Sequence, residues 1–189
     1  MKIIKLEIVM IIILIIILVI SIIVTLMTLS LIIGLIMTGG VPFISTSKKD
    51  FQNILEAVDL KPGEIIYDLG CGKAHLLIYA AKKFGAKGVG YELTLWPYLW
   101  AKLKIYLTKA NVKVFRQNFF KADLSQADVV FCYLFPAVMA KLEPKFSKEL
   151  KSGNRLVSYA FKLPDKIADK VVITNNDHAE LGKIYVYNY

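Results

Sequence analysis

The residues best suited to chemistry fall at two points of the chain. Asp68-Leu69-Gly70-Cys71-Gly72 closes a short apolar run and precedes a helical pattern. Gly70 and Gly72 have no Cβ, so the turn can be tight and a ligand can approach the backbone closely. The helix that follows begins with unpaired N–H groups, and its positive end favours a carboxylate. Tyr91-Glu92 ends a second apolar run, with Glu92 24 residues beyond Asp68. A carboxylate at that place can accept hydrogen bonds from both hydroxyls of a ribose. The pair suits a cofactor built on adenosine.

Nicotinamide dinucleotides are the obvious rival. Their turn requires Gly-x-Gly-x-x-Gly or Ala, and here the last position is His75, too large for close helix–strand packing. No pyrophosphate loop is evident either, so S-adenosylmethionine is the expected cofactor. Cys71 and Cys132 stand in unlike settings, a glycine turn and an apolar run, which gives neither a disulfide framework nor a metal cluster. Cys71 reads as a small turn residue whose backbone matters. His75 and His178 are too far apart in sequence to suggest a metal site, and both read as structural or solvated.

The elements that must position these residues alternate. Helical patterns cover residues 47–58, 74–84, 97–108 and 137–150, the last with Pro144 as an internal kink or break. Strand patterns cover 64–68, 88–91, 112–116, 128–133 and 154–159, and two further runs, 170–174 and 183–187, flank a polar loop. Alternation implies a mainly parallel, doubly wound α/β sheet with helices on both faces, and the last two runs should pair antiparallel at one edge. Ligands of such sheets sit beyond the carboxyl ends of the central strands. Trp96 and Trp100 share one helix face, which suits packing in the core or at a membrane interface.

From Ile8 to Ser47 the chain has no Asp, Glu, Lys or Arg. The aliphatic part, residues 8–37, would reach about 45 Å as a helix against a hydrocarbon core of roughly 30 Å. One tilted transmembrane pass fits; two do not. A cleaved signal peptide is the rival, but its apolar region is normally ~7–15 residues long and ends at small residues. The expected organisation is a tail at 1–7, a transmembrane helix at 8–37, a linker at 38–47 and a globular domain at 48–189. Net charge is +9. Only Arg116 and Arg155 are arginines, so the forked phosphate clamps of nucleic-acid sites are scarce and no nucleic-acid partner is expected. Lys48 and Lys49 after the anchor agree with a cytoplasmic domain, although Lys2 and Lys5 on the other flank pull against it.

Asp68-x-Gly-x-Gly72 and the acid ending the second strand resemble the cofactor motifs of class I, Rossmann-like methyltransferases. The flanks narrow the likeness: Pro42-Phe43-Ile44-Ser45-Thr46-Ser47, Tyr91-Glu92-Leu93 with Trp96, Asn118 to Ser125, and Phe135-Pro136 with Met139, Leu142, Lys145 and Glu149-Leu150. In this order they resemble the membrane-anchored protein-lysine methyltransferases of the ADP/ATP carrier and the ATP synthase c-subunit, and their prokaryotic relatives. The resemblance implies a seven-stranded sheet, S-adenosylmethionine, and a lysine acceptor on a membrane protein. It departs at Lys73-Ala74, where the family tends to have an acid and a third glycine, at Thr94-Leu95, and at Ile44.

On that reading Asp68, Gly70, Cys71, Gly72, Tyr91 and Glu92 hold the cofactor. Asn118 and Phe119, after the third strand, meet the edge and face of adenine, with core packing the alternative for Phe119. Tyr133, Phe135 and Phe43 line a channel for the acceptor, and no side chain is required as a general base. Two other functions stay open: a non-catalytic tethered module that keeps the fold, and methylation of a lipid or small molecule.

Overall fold

The computed structural model describes residues 2–37, 46, 48–174 and 182–189. Phe43, Ser47, His178 and all of the expected linker except Thr46 lie outside the described residues.

Helix α1 runs Lys2–Met37, so residues 2–7, expected as a tail, continue the same helix. Within it Leu6–Ile33 is long and apolar enough to cross a membrane, with mean hydropathy 3.6, and none of it is buried against the rest of the protein. Leu and Ile side chains thus face outward on every side of this helix. A helix apolar all round is stable only in a protein core or in lipid.

The remaining chain alternates as the periodicities predict. Helix α2 (Lys48–Ala57) leads to strand β1 (Ile65–Leu69), α3 (His75–Lys83), β2 (Lys87–Tyr91), α4 (Leu95–Thr108) and β3 (Val112–Phe115). After these come β4 (Val129–Cys132), α5 (Pro136–Glu149), β5 (Arg155–Tyr159), β6 (Lys170–Ile173) and β7 (Lys183–Asn188). The seven strands form one sheet in the order β3-β2-β1-β4-β5-β7-β6. The first five are parallel, and β7 joins β5 and β6 antiparallel. Double winding therefore holds for the parallel part and gives way at the β6–β7 edge. Chain order reverses between β1 and β4, which opens the crevice where such sheets bind ligands.

Residue alternation along the strands divides the interior into two layers. Ile66, Val112, Val129 and Val157 pack against α2, α3 and α4, while Tyr67, Leu69, Val130 and Leu156 pack against α5. Pro144 does not break α5, contrary to the expectation of a kink or break. Pro144 and Ala140 are both exposed, so the carbonyl that loses its N–H partner can turn to water. Arg155, at the start of β5, reaches back to the turn after α2: its guanidinium donates to the carbonyls of Val58 and Asp59 and pairs with Glu64.

Candidate active site

The elbow after β1 is tied to the end of β2. The N–H groups of Gly70 and Cys71 both donate to the Tyr91 carbonyl, at 2.9 and 3.0 Å. Gly72 N–H donates to Glu92 Oε2 at 3.0 Å, and Thr94 N–H to Glu92 Oε1 at 2.7 Å. Each carboxylate oxygen of Glu92 keeps a further lone pair, the capacity a ribose diol needs. Gly70 and Gly72 both take positive φ, +92° and +52°, a region L side chains rarely adopt. Ala74, where a third glycine is usual, also takes φ +55°. The elbow keeps its shape despite this departure, at the cost of some strain in Ala74.

A second glycine effect lies beneath the elbow. A Cβ on Gly90 would sit 2.6 Å from Cys71 Sγ and 2.9 Å from Leu77 Cδ1. The bare backbone of β2 is what lets the elbow and α3 settle onto the sheet. It also fixes the role of Cys71, whose side chain points into the packed interior while its N–H donates to the Tyr91 carbonyl and its own carbonyl accepts from Ala74 N–H. Burial pushes its thiol pKa well up, with Asp68 and Glu92 adding to the effect. Such a thiol is a poor nucleophile.

Asp68 and Glu92 are both buried. Burial first, and then the charge of Glu92, raise the Asp68 pKa from 3.8 to about 8. Burial also raises that of Glu92, against the opposing pull of N–H groups from Thr94, Gly72 and Leu93. The Asp68 carboxyl has no hydrogen-bond partner among the described residues. A buried acid without a partner beside a second acid calls for a cationic ligand. S-adenosylmethionine, which carries a sulfonium and an α-ammonium beside its ribose, fits this residue set.

The other residues named from sequence fall into three settings. Tyr91 turns its ring to the α5 layer, 5.9 Å from Tyr67 and stacked at 5.8 Å on Phe115, so its part in the elbow is played by its carbonyl. Asn118 is half-buried, and its Oδ1 accepts from Phe120 N–H at 3.0 Å, capping a short 3-10 turn, Phe119–Lys121. Phe119 is 3% exposed within the core, against Phe120 at 4.9 Å, and Phe120 is the more exposed of the two rings. Glu149 accepts from Leu124 N–H at 3.0 Å and pairs with Lys145, so these motif residues hold the segment that carries Asn118 in place.

Tyr133 and Phe135 do come together, through rings the sequence reading left out. Tyr133 meets Tyr159 edge-on at 5.0 Å, and Phe161 lies 6.4 Å from Tyr133 and 5.3 Å from Phe135. The group caps the carboxyl ends of β4 and β5. Burial and the nearby carboxylate of Asp50, buried in the first turn of α2, raise the Tyr133 pKa. Phe161 could have been found by applying the strand-end rule to β5 as it was to β1 and β2. Its placement depends on Ala160, at φ +67°, which no sequence pattern announces.

Residues 68–170, from the elbow through Phe161 to the start of β6, match the family described as the ANTKMT methyltransferase domain. The chain belongs to this family. Like it, the chain is an S-adenosylmethionine-dependent methyltransferase with the class I fold. A protein-lysine N-methyltransferase of Saccharolobus islandicus (strain REY15A) is 36% identical over 133 residues, 65% of this chain and 78% of that protein. The adenine nucleotide translocase lysine N-methyltransferase of Mus musculus is 33% identical over 66% of this chain, which spans only 55% of that protein. Among solved structures, an RNA methyltransferase from Salinibacter ruber in complex with S-adenosyl-L-homocysteine superposes with a TM-score of 0.72 at 30% identity. That match covers 77% of this chain and 93% of the other. The ANTKMT-family assignment therefore agrees with the elbow, the acid pair and the sheet order.

Proposed function

We propose that this ANTKMT-family methyltransferase is a membrane-anchored protein-lysine N-methyltransferase that acts on a membrane-associated protein. In this reading residues 8–37 form a single-pass anchor, 38–47 a linker, and 48–189 a catalytic domain on the cytoplasmic side, where the cofactor is made. The observation that carries it is the aromatic group Tyr133, Tyr159, Phe161 and Phe135 at the strand ends beside the acid pair. The names of the lysine-methylating relatives, with the family match over residues 68–170, support it.

When bound, S-adenosylmethionine supplies an electrophilic methyl group on a sulfonium. Asp68 would face its cationic end, Glu92 its ribose hydroxyls, and Asn118 the adenine edge through its carboxamide. Gly70 and Gly72 give the backbone room for the ligand, and Cys71 and Tyr91 shape the elbow through their main chain. With Phe119 buried among other rings, Phe120 is the ring of that pair with surface to offer the adenine face.

The acceptor amine must shed its proton before it can attack. Rings of Tyr133, Phe135 and Phe161 desolvate a lysine side chain, which lowers the pKa of its ammonium and releases the proton to water. The rings would hold the neutral amine nitrogen in line with that methyl group, whose transfer would carry the positive charge from sulfur to nitrogen. Alignment of the two reactants supplies most of the acceleration. The family match over residues 68–170 and the names of the lysine-methylating relatives argue against a merely tethered binding module.

Membranes from cells lacking the chain, incubated with the purified protein and methyl-labelled cofactor, test the proposal. Label on lysines of a membrane protein supports it. Label recovered only in lipid or in RNA would move the acceptor elsewhere, and failure to bind S-adenosylhomocysteine would remove the enzymatic reading altogether.

A further inference from the structure

Helix α4 carries apolar residues on both sides. Pro97 and Ala101 face the sheet, whereas Leu99, Trp100, Leu103, Tyr106 and Leu107 face away from it and are 43 to 81% exposed. The outer five recur at helical spacing and make one continuous stripe. A stripe of this kind is more than a scatter of surface apolar residues and marks a contact surface. We infer that the outer face of α4 is a second membrane-contact surface, lying in the interfacial layer of the bilayer beside the anchor.

The seat of α1 identifies the occupant. Leu29 and Ile33 of α1 line a groove with Leu93, Leu95 and Arg116, at the start of α4 and the end of β3. The apolar stretch Leu6–Ile33 has 28 residues. It spans about 42 Å, roughly 12 Å more than the hydrocarbon core. The surplus is the end of α1 that touches the folded domain, so α4 begins at headgroup depth. The composition of α4 suits that depth. It has no acidic residue, its outer face has a Trp and a Tyr, and Lys102 and Lys109 are exposed beside the stripe. Aromatic rings with lysines at their flanks are typical of helices lying in the interface, where the cations meet anionic headgroups.

The inference rests on the anchor reading and refines it. Since α4 follows directly from Glu92, a domain held by both α1 and α4 keeps the rim of the cofactor cleft near the membrane surface. An acceptor lysine at headgroup depth is then within reach, and one on a freely soluble protein is disfavoured.

The two tryptophans of the chain, Trp96 and Trp100, are both in α4. The full chain bearing Trp96→Phe, reconstituted in vesicles containing anionic lipid, leaves Trp100 as the only reporter. Flotation of the vesicles reads the anchor, and quenching by lipids brominated near the headgroup or near the chain end reads α4. The expected result is co-flotation together with loss of Trp100 emission, greater for the shallow bromines. Leu103→Glu with Leu107→Glu should abolish most of that quenching while flotation and S-adenosylhomocysteine binding persist, since both positions are exposed. Flotation without quenching would overturn the inference and leave the anchor standing. Crosslinking of Trp100 to a second copy in place of quenching would assign the stripe to a dimer. Quenching that survives the double substitution would also overturn it, and absence of flotation would remove both readings.

Discussion

The two halves of the cleft are built on different principles. On the cofactor side the N–H groups of Gly70, Cys71 and Gly72 all find acceptors at the end of β2, and Gly90 leaves no room for even a methyl group. On the side proposed for the acceptor four aromatic rings lean on one another at 5.0 to 6.4 Å. A hydrogen-bonded elbow admits one ligand shape, whereas ring packing accommodates neighbours of varied shape. On the proposed reading the cofactor half is the more constrained part, and the aromatic half is the one with room to take different acceptors.

That contrast can be broken most directly at Glu92. Glu92→Ala removes the carboxylate proposed to accept from the ribose hydroxyls and also frees Gly72 N–H. Titration calorimetry with S-adenosylhomocysteine should show affinity lowered about 100-fold; a change within about threefold would place the ribose elsewhere. Gly90→Ala comes next. With Cys71 Sγ only 2.6 Å from the new carbon, the elbow must shift, and chemical denaturation should show a loss of about 1–3 kcal/mol. On the other side, Phe161→Ala should lower methyl transfer about tenfold through poorer positioning of the acceptor. Cofactor affinity should stay unchanged, and a parallel loss of cofactor binding would merge the two halves into one.

The pH dependence of stability sharpens the comparison further. The Asp68 carboxyl has its folded-state pKa raised from 3.8 to about 8, so the folded chain holds that proton more tightly than the unfolded one. Its contribution is present below the unfolded value and is lost as pH rises toward 8. Thermal melting of the ligand-free protein should therefore fall as pH rises across that window. Asp68→Asn should flatten the profile, as should a saturating cationic ligand. The smallest effect is expected for Ala74→Gly. Relief of the left-handed backbone is offset by loss of a buried methyl and by added freedom when unfolded, and the net change should stay within about 1 kcal/mol.

Most element boundaries could be read within one or two residues, because a buried parallel sheet requires continuous apolar runs and its covering helices require their own period. The elbow and Glu92 were legible for a related reason: glycine and acid at strand ends are choices local to the sequence. What stayed hidden depends on the third dimension. Phe119 looks the same in sequence whether its ring meets a ligand or the core, and only its burial among Tyr67 and Tyr91 separates the two. Phe161 reaches the Tyr133 group through a left-handed Ala160. Pro144 predicts a break when read alone and is tolerated because the orphaned carbonyl faces water.

The Arg155 contacts with the turn after α2 set a clock on synthesis. The carbonyls of Val58 and Asp59 wait for a side chain 97 and 96 residues downstream. At ribosomal speeds of about 5–20 residues per second, roughly 5–20 seconds pass before that partner is made. An apolar N-terminal helix can enter a bilayer during this interval, while the rest of the chain is still unable to close. On the proposed anchor reading, the chain is tethered first and its catalytic half closes afterwards.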